Sequence, residues 1–104
     1  MNMKDRQSLI LQNHKTERVL TENTALKEKL AELDLGSTQF FQVNAHDGVA
    51  LDGYITTPAD FDPNKKYPII FYVYGEPAGQ TVKDNWRGNS YLWDQLLTQK
   101  GFIV

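Results

Sequence analysis

Residues 65–80 read KKYPIIFYVYGEPAGQ, and this stretch decides the fold. From Pro68 to Tyr74 the chain is nearly all apolar, β-branched or aromatic and does not alternate with polar residues. That pattern predicts a strand covered on both faces, as in a parallel sheet. It stops abruptly at Gly75-Glu76-Pro77, a turn signal, with Tyr74 as the strand's last residue. A tyrosine there is either core filler or a hydroxyl held at a strand end for chemistry. Downstream, Ser90–Lys100 predicts a helix capped by Ser90, with Leu92, Trp93, Leu96 and Leu97 on a broad apolar face. Gly101 terminates it, and Phe102-Ile103-Val104 begins another strand. Strand, helix, strand is the order of a βαβ crossover, so the two strands should be parallel neighbours. The second is three residues long, and the chain reads as the opening of a larger α/β domain.

Upstream, Phe41, Val43 and Ala45 alternate with Phe40, Gln42 and Asn44. Val49, Leu51, Gly53 and Ile55 alternate with Ala50, Asp52, Tyr54 and Thr56. His46-Asp47-Gly48 between them predicts a hairpin turn. Pro58–Tyr67 is loop by composition. Before the hairpin, Asn23 is the expected N-cap of a helix over Thr24–Leu33, with Gly36 just past its end. Leu26, Leu30 and Leu33 share a face. Val19, Leu26 and Leu33 repeat every seventh position, but over about two heptads, short of what a coiled coil needs. A docked surface helix is the expectation. Ser8–Leu11 reads as a short strand and Gln12–Lys15 as a polar turn.

The balance of 11 basic against 13 acidic residues gives a formal net charge of −2, with no pull toward nucleic acid or an anionic membrane. A hydrophobic fraction of 40% is globular composition. With no cysteine there is no disulfide and no thiolate chemistry. The N-terminal MNMKDRQSLILQNHK is too polar for a signal peptide, and no window approaches a transmembrane helix.

No nucleophile–base–acid set is expected. Of Ser8, Ser37 and Ser90, only Gly88-Asn89-Ser90-Tyr91-Leu92 approaches the Gly-x-Ser-x-Gly elbow, and it lacks both the last glycine and a leading strand. His14 and His46 lie in turns without the spacing of metal ligands. Adjacent His46 and Asp47 would point to opposite sides of a strand. Gly75, Gly79 and Gly88 form no phosphate cradle. Neither metal nor cofactor is implied.

KKYPIIFYVYGEPAGQ followed by YLWDQLLTQKGFIV resembles the start of the catalytic domain in the prolyl oligopeptidase family of serine peptidases, and most of all its bacterial dipeptidyl peptidase IV branch. ERVLTENTALKEKL is similar to that branch's link from a β-propeller into the hydrolase domain, and RQSLILQNHKT to the tail of the last blade. The resemblance implies residues 1–22 as propeller end and linker, and residues 23–104 as the first part of an α/β-hydrolase domain. It implies Tyr74 as the oxyanion-hole tyrosine. A fixed phenol at a strand's carboxyl end can stabilise the developing oxyanion by roughly 3–4 kcal/mol. It also implies a peptide substrate cut after a penultimate proline or alanine, and an exported, homo-oligomeric parent. The family's Ser, Asp and His match no residue here, so the segment alone should be inactive. Its open strand edge should favour self-association. Glu76 stands where the family usually has glycine and is expected to face solvent, away from the oxyanion. The other reading is a small non-catalytic interaction module built on the leucine helix.

Overall fold

The computed structural model describes residues 9–12 and 17–104. Two short strands, β1 (Leu9–Gln12) and β2 (Glu17–Thr21), pair antiparallel. A strand over Ser8–Leu11 is thus found one residue along, while the turn expected at Gln12–Lys15 lies mostly outside the described residues. The strand at Glu17–Thr21 was not expected. Val19 belongs to it, which removes the seven-residue repeat at its first position.

Helix α1 (Thr24–Ala31) begins after Asn23, as expected of a cap position. Asn23 takes the left-handed conformation (φ 48°) and its side chain makes no cap hydrogen bond; its carbonyl accepts the Leu26 and Lys27 N–H groups instead. Leu30 is buried and Leu26 half-buried, whereas Leu33 lies beyond the helix end and is exposed. Gly36 does not cap this helix; it is buried in a close approach to the next elements.

Strands β3 (Ser37–Asn44) and β4 (Ala50–Thr57) form the expected hairpin, in register from Ser37 opposite Thr57 to Asn44 opposite Ala50. The Gly48 N–H donates to the Ala45 carbonyl, the Ala45 N–H to the Val49 carbonyl, and Asp47 Oδ1 accepts the Val49 N–H at 3.1 Å. At the other end Thr56 is buried, its hydroxyl 3.0 Å from that of Thr38.

The last residues lie in the middle of the sheet. Val104 and Thr56 exchange both backbone hydrogen bonds, the pattern of an antiparallel pair. Ile103 uses the opposite edge: its N–H donates to the Pro68 carbonyl and its carbonyl accepts the Ile70 N–H. Ile69 and Ile103 are therefore parallel neighbours, as the crossover predicts. The spatial order is β3, β4, residues 103–104, residues 68–70, with helix α2 (Asn89–Gln99) in the connection.

On α2 a burial expectation is corrected, and the run Pro68–Tyr74 is largely uncovered among the described residues. The run Pro68–Tyr74 pairs only through Ile69, and Phe71, Tyr72 and Val73 are 83%, 70% and 82% exposed. Among the described residues no strand pairs with the run beyond Ile70. On α2, the inward stripe is Tyr91, Asp94, Gln95 and Thr98, one helical face at i, i+3, i+4 and i+7. Trp93 and Leu96, expected inside, are exposed. The stripe faces β4 and Gly36, and Gln95 accepts the buried Gly36 N–H there. The helix ends on Gly101 as expected: Phe102 N–H donates to Leu97 O and Gly101 N–H to Thr98 O, a Schellman pair.

Candidate active site

Tyr74 lies four positions beyond Ile70, the last residue tied to the sheet. Its ring is 43% exposed and rests against the backbone of Gly79. A Cβ on Gly79 would stand 2.9 Å from the Tyr74 hydroxyl oxygen, closer than side-chain carbons approach, so only glycine accommodates this ring position. The hydroxyl donates to Glu76 Oε2 at 3.1 Å. Glu76 is exposed, as expected, but its carboxylate turns back onto the phenol rather than away from it. Gly75 between them leaves the backbone free to fold back, and Pro77 confines Glu76 to extended backbone.

The serines and histidine do not join this group. Ser90 lies in the first turn of α2 and is exposed; the cap position belongs to Gly88, whose φ of 55° suits glycine, so Ser90 is not the cap expected of it. Ser37 opens β3, where its carbonyl accepts the Thr57 hydroxyl. His46 is exposed in the hairpin loop. Ser8 and His14 lie outside the described residues. Among the described residues, no hydrogen bond links Ser37, Ser90 or His46 to Tyr74.

A second cluster holds α2 to the hairpin. Arg87 pairs with the buried Asp94 carboxylate, and its guanidinium carbon lies 5.1 Å from the centre of the Tyr54 ring. Trp86 packs on Tyr91 with ring centres 5.2 Å apart. Burial pushes the Tyr54 phenol above its ordinary value; the Arg87 charge opposes this and the Asp94 carboxylate adds to it. Burial alone raises Tyr91. Sequence reasoning missed this cluster, since a lone arginine before a helix and an aspartate in its second turn carry no motif. The available signal was their spacing of seven, which brings the arginine back over that turn. The segment Trp86–Asp94 thereby anchors the crossover that follows the Tyr74 loop.

A hairpin and a βαβ crossover joined in one mixed sheet define a partial α/β arrangement. No protein-family model matches the chain. It is 38% identical over 78 residues to a protein described as a dipeptidyl peptidase 4 of Emericella nidulans, covering 72% of this chain and 10% of that protein. It is 41% identical over 90 residues to one described as a dipeptidyl-aminopeptidase B of Ajellomyces capsulatus, covering 85% of this chain and 9% of that protein. The crystal structure of Porphyromonas gingivalis dipeptidyl peptidase 4 superposes with a TM-score of 0.83 at 27% identity, over 99% of this chain and 15% of that one. The chain is dipeptidyl peptidase 4-like in sequence and in fold, and spans about a tenth of the length of the curated relatives it matches.

Proposed function

We propose that this chain is the segment of a serine-type dipeptidyl peptidase in which residues 1–22 end a propeller and residues 23–104 open the α/β-hydrolase domain. Tyr74 is its contribution to the chemistry. Attack on a peptide carbonyl turns the carbonyl oxygen into an oxyanion, and a phenol aimed at that position donates a hydrogen bond that strengthens as charge develops. The observation that carries this reading is the Tyr74 ring seated on Gly79, just past a strand anchored by Ile103. A seated ring fixes where the hydroxyl oxygen lies before the substrate arrives, while its proton rests on Glu76. The nucleophile, base and acid have no counterpart in these residues, so the segment by itself is inert. The substrate is a peptide with a free N-terminus and proline or alanine at its second position, released as a dipeptide.

The test is an assay of the full-length protein on dipeptides linked to a chromophore. Gly-Pro and Gly-Ala substrates should be turned over, N-blocked Gly-Pro should not, and a serine-directed phosphonate should abolish the activity. Absence of turnover on every X-Pro and X-Ala substrate would contradict the reading.

A further inference from the structure

The hydroxyl of Tyr74 already has an acceptor, and it is an anion two residues away. A phenol has one proton to donate. While that proton points at Glu76 Oε2 it is not available to an oxyanion, so the bond at 3.1 Å must break or re-aim during the reaction. We infer that Glu76 is a positioning residue that acts through Tyr74: its carboxylate holds the hydroxyl in a resting orientation and competes with the reaction's oxyanion for the same proton. This rests on the reading of Tyr74 as the oxyanion donor.

Three features support it. Gly79 lies directly against the ring on one side, where the proton can still turn about the phenol C–O bond. Pro77 restricts Glu76 to extended backbone, which limits where its side chain can go. Charge works in the same direction: a carboxylate next to a developing negative charge raises the barrier. Both effects predict that wild-type turnover is held below what Tyr74 could support.

The test is a double-mutant cycle in the full-length protein, with Glu76→Gln, Tyr74→Phe and the pair, measured as kcat and KM separately on a Gly-Pro chromogenic substrate. Glu76→Gln keeps the size of the side chain and removes its charge. It should raise kcat about five-fold, the worth of one weakened hydrogen bond, with KM little changed. In the Tyr74→Phe background the same substitution should raise kcat by much less, leaving only the charge effect. An unchanged or lower kcat for Glu76→Gln overturns the inference. A rise of the same size without the Tyr74 hydroxyl also overturns it, because Glu76 would then act by charge alone. If Tyr74→Phe itself costs no activity, the oxyanion reading fails first, and the cycle shows this separately.

Discussion

Gly36 donates its backbone N–H to the side-chain oxygen of Gln95 at 2.6 Å, joining the entry of the hairpin to the middle of α2 across 59 positions of sequence. Both residues are buried. A Cβ on Gly36 would collide with the Thr57 carbonyl oxygen and reach the Thr98 hydroxyl at 3.1 Å. The helix thus lies against backbone, and the Gly36–Gln95 hydrogen bond ties the two together.

Gly36→Ala should therefore separate β4 from α2. An overpacked, well-defined seam typically loses about 1–3 kcal/mol. Thermal unfolding of the full-length protein should show a lower midpoint, while Gly48→Ala, in open space at the hairpin tip, should cost less through its positive φ alone. Equal losses would mean that the close approach at Gly36 contributes nothing.

The Arg87–Asp94 pair makes a second prediction. Their side chains are 21% and 13% exposed, so removing one partner leaves a largely desolvated charge. Asp94→Ala should cost about 3 kcal/mol, and Arg87→Met with Asp94→Leu together should cost less than Asp94→Ala alone. Denaturant midpoints of the three variants check this ordering.

The phenols of Tyr54 and Tyr91 set an alkaline limit. Burial raises both above the ordinary value of 10.0, so the folded state holds these protons more tightly than the unfolded state. The stability they support is complete below pH 10.0 and falls as pH rises toward and through the folded values. Tyr54→Phe and Tyr91→Phe should flatten that alkaline fall, whatever they do at neutral pH. Stability measured from pH 8 to 11 checks it; an unchanged slope in both variants would contradict the assignment.

What could be read in the sequence follows from where each signal resides. The hairpin was legible because alternation and Asp47-Gly48 are local, and the crossover because strand, helix and strand occur in order. Burial was not legible. Pro68–Tyr74 has the composition of a covered strand, yet cover is supplied by other elements, and among the described residues no strand pairs with it past Ile70. The face of α2 was misjudged because apolar count favours Trp93 and Leu96, whereas the neighbour is backbone at Gly36, whose N–H is met by Gln95. The β2 strand was hidden by its polar neighbours Glu17, Arg18 and Thr21. Tyr74 was singled out as the expected last residue of a strand, whereas the run is tied to the sheet only as far as Ile70, and the turn of Glu76 back onto its hydroxyl depends on loop geometry that composition does not encode.

Gly79 makes a prediction of its own. Gly79→Ala should displace the Tyr74 ring and lower kcat roughly ten-fold, since one misplaced donor forfeits much of its effect. KM should be less affected, as expected of a group that acts in the transition state. A change confined to KM would show that the ring's seat on Gly79 serves binding instead.

The most direct measurement of the central claim is kcat for Tyr74→Phe in the full-length protein on a Gly-Pro chromogenic substrate, alongside its unfolding midpoint. Removing one oxyanion donor should lower kcat by about 10²-fold or more, with KM and the midpoint nearly unchanged. A kcat within two-fold or so of wild type would contradict the account, and Tyr74 would then be an aromatic residue at a strand end with no part in the chemistry.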